Sequence, residues 1–200
     1  MQALIVTAHP DPGSLTQAVA RQVAAGIEAT PGQAATLADL AAEGFDPRYT
    51  AADHGQFQRR NPAAPDVLAE QRRLDQASVL VLVYPVYWWA MPGLLKGWID
   101  RVFVQGWAYG ETPDGRIEKL LGRLPVQLIG LGGADQGTYA RHGYDVAMRT
   151  QIEHGIFGYC GAPVVGSDFL LHSDEAARAA ALRRGFAIGA GLREAVATVS

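Results

Sequence analysis

Hydrophobic residues fall into five short runs along the chain, separated by longer segments of mixed polarity. The runs cover residues 2–8, 34–40, 79–83, 124–131 and 162–171. The run from Val79 to Val83 is unbroken, which is typical of a strand buried on both faces of a parallel sheet. The run at 34–40 is more polar and therefore predicts an edge strand.

Several of the intervening segments repeat apolar residues at helical spacing. A first helix is predicted from Ser14, which stands at capping-box distance from Gln17. Further helices are expected at residues 66–76, from Pro92 onward, within 144–158, and after the capping residues Ser173, Asp174 and Glu175. Residues 41–65 and 106–122 show little periodicity and are predicted to be loops.

The alternation of strands and helices predicts an α/β fold over a single domain, residues 1–200. Five strands favour a parallel sheet in the flavodoxin-like order 2-1-3-4-5, with helices on both faces. In such sheets, ligands bind where the carboxyl ends of the strands meet.

Composition excludes several classes of protein. Of the 200 residues, 48% are hydrophobic and the net charge is −3, so a core is expected and nucleic-acid binding is not. No apolar stretch is long enough to span a membrane, and the amino terminus lacks the basic region of a signal peptide. The single cysteine, Cys160, excludes an internal disulfide and fits a cytoplasmic protein.

Three predicted loops converge at the carboxyl ends of strands 1, 3 and 4. The loop at 9–14 opens a helix, whose amino-terminal N–H groups favour an anion, and its His9 and Ser14 add donors. The loop at 85–91 is aromatic, and the loop at 132–139 starts with glycines that allow a flat ligand to approach the backbone. A phosphate site, an aromatic wall and a glycine edge together indicate a flavin nucleotide.

Each of these features has a simpler interpretation. His9 could be an ordinary histidine at a strand end, Trp88 and Trp89 could lie in the core or in a dimer interface, and Gly132-Gly133 could be a plain turn. No G-x-G-x-x-G follows the first strand, and no P-loop motif is present. No H-E-x-x-H motif or cysteine pair indicates a metal, so none is expected.

Segments that resemble those of a known protein family extend over most of the chain. They include Ala8-His9-Pro10, the helix that begins at Pro65, Tyr84 to Trp89, and the run from Pro92 to Phe103 (PGLLKGWIDRVF). In these segments the chain resembles the NAD(P)H:quinone oxidoreductases, flavoproteins with a flavodoxin-like fold. That group includes bacterial modulators of drug activity and ancillary subunits of glutathione-gated potassium efflux systems.

The resemblance implies a set of residues that contact the flavin. A first set of residues would contact the phosphate arm of the flavin, and a second set would hold the ring, chiefly through the protein backbone. A third set would lie along the other edge of the ring. These residues are His9, Ser14 and Leu15; Pro85, Val86, Tyr87, Trp88 and Trp89; and Gly132, Gly133 and Tyr139. FAD is the expected cofactor, with FMN left open.

The resemblance also implies ping-pong chemistry, in which NAD(P)H delivers a hydride through the flavin to a quinone-like acceptor. Tyr139 and His142 are the candidate catalytic residues, because a hydroxyl or imidazole can stabilise the negative charge of the reduced ring. The site is expected at a homodimer interface, with Trp107 and Tyr109 of the partner as a lid. The sequence leaves the choice of NADH or NADPH and the physiological acceptor open.

Two other functions are compatible with the same sequence. One is a regulatory ancillary subunit docked on a glutathione-gated potassium efflux antiporter in the membrane. The other is a single-electron carrier of flavodoxin type, which the lack of a hydroxyl-rich phosphate loop and of a strongly acidic surface disfavours.

Overall fold

A computed structural model describes residues 1–172 and 174–199. Five parallel strands form the central sheet: β1 (Gln2–Thr7), β2 (Ala34–Asp39), β3 (Val79–Pro85), β6 (Val126–Gly132) and β7 (Val164–Leu171). Their order is β2-β1-β3-β6-β7, which confirms the predicted order. β3 and β6 are buried along their whole length, whereas the edge strand β2 is mostly exposed or half-buried, as its polar sequence predicted.

The helices cover both faces of the sheet. They are α1 (Leu15–Glu28), α2 (Ala51–Phe57), α3 (Pro65–Asp75), α4 (Gly93–Val102), α5 (Gln136–His142), α6 (Tyr144–Met148) and α7 (Glu175–Ala197). α6 continues as a π-helix over Arg149–Gly158. One core lies under α1 and α7, and a second core packs α3, α4 and α6 against the other face.

Two segments predicted to be loops contain regular structure. Within residues 41–65, α2 begins at Ala51, and the preceding Thr50 caps it by forming a capping box with Asp53. Within residues 106–122, β4 (Tyr109–Glu111) and β5 (Ile117–Lys119) form an antiparallel hairpin. These elements span only seven and three residues, so they are too short to show a hydrophobic period.

The predicted helix starts can be compared with the caps in the structure. Ser14 accepts a hydrogen bond from the Gln17 N–H at the start of α1. Asp174 caps α7 through the Ala177 N–H at 2.8 Å, whereas Ser173 lies outside the described residues. The helix expected within 144–158 is present as α6 and its π-helical continuation.

α1 and α7 pack with their backbones almost in contact. A Cβ atom on Gly26 would lie 2.1 Å from the Phe186 carbonyl oxygen, and a Cβ atom on Gly189 would lie 2.1 Å from that of Val23. Only glycine allows this approach, so the two helices form one layer on the same face of the sheet, with α1 against β1 and β3 and α7 against β7.

A buried arginine joins α4 to the segments before it. Arg101 is only 5% exposed. Its guanidinium donates to Asp53 at 3.2 Å, to Asp66 at 2.7 Å and to the Asp46 carbonyl at 2.8 Å. The hydrogen bond from Arg101 is the largest influence on Asp66 and holds the pKa of that carboxyl below its ordinary value. α2 and α3 are thereby fixed against the helix that follows the aromatic loop.

Two further predictions can be compared with the structure. Cys160, the single cysteine, is buried with a free thiol, and burial raises its pKa to about 11. Within residues 1–172 and 174–199, no helix combines the length and the apolar character needed to cross a lipid bilayer.

Candidate functional site

Sheet register brings the aromatic loop and the glycine segment together. Pro85 at the end of β3 pairs with Leu131 of β6, and the Val86 N–H donates to the Leu131 carbonyl at 2.8 Å. A cleft of about 140 Å³ opens beyond this point. It is lined by Val86, Trp88, Trp89, Gly133, Ala134 and Tyr139.

The aromatic loop is a tight, strained turn. Tyr87 and Ala90 exchange two backbone hydrogen bonds of 3.1 and 3.0 Å. Between them, Trp88 and Trp89 have φ angles of 49° and 60°, in the left-handed region that bulky residues avoid. Each non-glycine residue in this conformation lowers the stability of the fold by roughly 1–2 kcal/mol. Backbone strain of this kind clusters at binding sites. The turn leaves the Trp88 side chain 92% exposed at the cleft.

Ring contacts hold Trp89 in this conformation. Its indole stacks on Tyr144, with ring centroids 3.8 Å apart and planes at 11°, and meets Tyr139 edge-on at 5.2 Å. Aromatic pairs of this kind contribute about 0.5–1.5 kcal/mol each. The two contacts together therefore offset much of the backbone strain at Trp89.

Tyr139 forms the back wall of the cleft. It is 3% exposed and packs against Phe169 as well as Trp89. A Cβ atom on Gly132 would lie 2.4 Å from the Tyr139 hydroxyl oxygen, so glycine makes room for this phenol, while the space around Gly133 is open. Burial raises the pKa of Tyr139. The phenol therefore keeps its proton at neutral pH and can donate it in a hydrogen bond.

His142 lies at the exposed end of α5, in the last turn of that helix. Its ring stacks on Tyr144, with centroids 5.1 Å apart. Tyr144 is thus in contact with both His142 and Trp89. Sequence reasoning did not select Tyr144, although the Gly143-Tyr144 pair was a signal, because glycine there ends one helix and starts the next.

The loop after β1 presents donors at the amino end of α1. The Asp11 N–H donates to His9 Nδ1 at 3.1 Å, which in a neutral imidazole places the proton on Nε2. Ser14 Oγ accepts from the Gln17 N–H at 3.3 Å, so its own O–H remains available. The N–H groups of Leu15 and Thr16 in the first helical turn have no intrahelical acceptor.

A buried network supports this loop from below. Gln17 accepts from the Thr7 hydroxyl at 3.2 Å and donates to Asp39 at 2.7 Å. β1, β2 and the first turn of α1 are tied together by these bonds. Sequence reasoning did not find this supporting role, because the three residues are far apart along the chain.

Of the two candidate lid residues, Trp107 lies between α4 and β4, and Tyr109 is the first residue of β4. The Trp107 indole N–H donates to Asp75 at 3.2 Å, and its ring packs edge-on against Phe103. Tyr109 meets Tyr159 edge-on, with centroids 5.2 Å apart.

The sequence profile of the flavodoxin-like fold family matches residues 1–186. The chain is also 30% identical over 185 residues to a protein of Pongo abelii named ribosyldihydronicotinamide dehydrogenase [quinone]. The alignment covers 82% of this chain and 78% of the relative. This chain belongs to the flavodoxin-like family of NAD(P)H:quinone oxidoreductases.

Solved structures agree with the fold. An NAD(P)H:quinone oxidoreductase from Methanothermobacter marburgensis superposes with a TM-score of 0.86 at 23% identity, covering 96% of this chain and 97% of the other. General stress protein 14 of Treponema denticola, solved in complex with FMN, gives a TM-score of 0.67 at 26% identity and covers 98% and 99% of the two chains.

Proposed function

We propose that this protein binds a flavin nucleotide across the loops after β1, β3 and β6 and transfers hydride from NAD(P)H to a quinone-like acceptor. The observation that carries the proposal is the cleft of about 140 Å³ between the strained aromatic turn and Gly133. Family membership and the FMN complex of the Treponema denticola protein support it.

The residues present fit a flavin. The open space at Gly133 leaves backbone accessible to a flat ring, and the exposed Trp88 supplies an apolar face. His9, Ser14 and the first turn of α1 offer donors to a phosphate. FMN and FAD share the ring and the first phosphate, so these residues would serve either cofactor.

The protein's own groups would assist the reaction. A bound flavin would supply the site that accepts and returns a hydride. The Tyr139 phenol, protonated at neutral pH, would donate a hydrogen bond to negative charge that develops at the ring. His142 is the second candidate donor. In the proposed ping-pong order, NAD(P)H gives up its hydride and leaves as NAD(P)+ before the quinone enters the same cleft.

The proposal includes a homodimer with Trp107 and Tyr109 of each subunit covering the site of the other. The 92% exposure of Trp88 supports it, because so large an apolar ring at the cleft favours a cover. Light scattering should then give about twice the 21.3 kDa mass of one chain.

Quinone turnover tests the proposed reaction. Purified protein supplied with flavin should oxidise NADH or NADPH in the presence of a benzoquinone, with parallel lines in double-reciprocal plots. Tyr139→Phe and His142→Ala should retain the flavin and lose about 100- to 1,000-fold in kcat. Full turnover in both variants would remove these residues from the mechanism, and inactivity of the flavin-loaded wild type would refute the function.

A further inference from the structure

Tyr144 lies at the junction between two short helices, α5 and α6. Gly143, with a φ angle of +67°, is both the C-cap of α5 and the N-cap of α6. Because the left-handed conformation favours glycine, the chain can start α6 directly after α5. The Tyr144 ring, half-buried, then lies against Trp89 of the aromatic loop.

The Tyr144 contact joins two of the segments that line the cleft. Trp89 belongs to the loop after β3, whereas Tyr139, at the back wall, belongs to α5, which ends two residues before Tyr144. The near-parallel stack of Tyr144 on Trp89, 3.8 Å between centroids, is the tightest ring contact among the described residues. Since the Trp89 backbone is strained at φ 60°, its position depends on such contacts.

We propose that Tyr144 is a positioning residue that sets the width of the cleft by holding Trp89 against the α5–α6 segment. The inference rests on the proposed function and concerns its ligand: Tyr144 acts on the planar ring of the flavin and not on the phosphate. The phosphate would be met by the separate loop after β1.

Comparing the binding of two flavins separates the contribution of the ring contacts to affinity from that of the phosphate contacts. FMN and riboflavin carry the same ring, but only FMN carries the phosphate. Titration of ligand-free protein, followed by flavin fluorescence, should show that Tyr144→Ala weakens both ligands by the same factor, about three- to tenfold. Ser14→Ala should weaken FMN and leave riboflavin unchanged.

Two controls identify the ring as the active group. Tyr144→Phe keeps the stack and should bind both flavins within about twofold of the wild type. Val146→Ala removes a 63% exposed side chain from the same helix and should have no effect. Wild-type affinity in Tyr144→Ala, or a loss in Tyr144→Phe as large as in Tyr144→Ala, would overturn the inference.

A second measurement needs no ligand. The stacked Trp89–Tyr144 pair should give a near-ultraviolet circular dichroism band that disappears in Tyr144→Leu, which keeps apolar volume without a planar face, and persists in Tyr144→Phe. An unchanged band in Tyr144→Leu would contradict the stack. Failure of the wild type to bind either flavin would instead refute the proposed function, together with the inference that rests on it.

Discussion

Two adjacent glycines at the end of β6 have opposite environments. Gly132 is buried and faces the hydroxyl of Tyr139. Gly133 is exposed, and a Cβ atom at this position would have no neighbouring atom within 4 Å. The sequence predicted both as one edge of the site, because a glycine pair after a strand gives no information about which member contacts protein. The structure separates a packing role for Gly132 from an access role for Gly133.

Gly132→Ala should therefore destabilise the ligand-free protein by about 1–3 kcal/mol. The new methyl group would displace Tyr139, which Trp89 and Phe169 prevent from moving freely. Urea unfolding measures the loss. Gly133→Ala is the matched control and should stay within about 0.5 kcal/mol of the wild type; equal effects of the two substitutions would contradict the two roles.

At the scale of elements, the helix that follows the aromatic loop is held by a buried charge. Arg101 was visible in the sequence only as part of the family-like run, and its partners lie 35 and 48 residues away along the chain. No local pattern could pair it with Asp66 or Asp53. The Lys96–Asp100 pair, by contrast, is local: the two residues stand four apart on one helix, a spacing that favours pairing, and they form an ion pair at 2.6 Å.

Arg101→Met should cost about 3–5 kcal/mol of stability at neutral pH, because it leaves the buried Asp53 carboxylate without its cation. Lys96→Met, which breaks the exposed pair on the same helix, should cost at most about 0.5 kcal/mol. Denaturant titration of both variants tests the difference. Similar losses in the two would show that burial of Arg101 does not matter.

The Arg101 cluster also predicts a pH dependence. The pKa of Asp66 is lowered from 3.8 in the folded protein, chiefly by the Arg101 hydrogen bond. A lowered folded-state pKa contributes stability above the unfolded value, and that stability is lost as the pH falls through the folded value. The stability gap between wild type and Arg101→Met should therefore be widest near neutral pH and narrow below about pH 4. A gap that is constant from neutral to acid pH would contradict this.

The α1–α7 contact gives a second prediction at this scale. Gly189→Ala should destabilise the protein by about 1–3 kcal/mol, since the methyl group would overlap the Val23 carbonyl. Gly191→Ala, in the same helix with open space around it, should stabilise by about 0.5–1 kcal/mol because alanine favours helix. Thermal unfolding of both variants shows whether each substitution lowers or raises the stability. A Gly189→Ala variant more stable than the wild type would contradict the close contact.

At the scale of the whole molecule, the strand order, and with it the adjacency of the carboxyl ends of β1, β3 and β6, could be predicted from hydrophobic periodicity. Long apolar runs determine which strands are buried, and the topology of parallel sheets then places their carboxyl ends together. The π-helical continuation, the β4–β5 hairpin and the Tyr144 stack could not be predicted, because they depend on tertiary contacts or on elements of a few residues. The sequence therefore predicts at which edge of the sheet a site would lie, and the structure supplies the contacts that shape the cleft there.

The most direct test of the account is a titration of the ligand-free protein with FMN and FAD, followed by flavin fluorescence and absorbance. The account predicts saturable binding of at least one of them at one flavin per chain. It also predicts that Ser14→Ala weakens that binding. Folded protein that binds neither flavin, or binding that is indifferent to Ser14, would contradict a flavin held across the carboxyl ends of β1, β3 and β6.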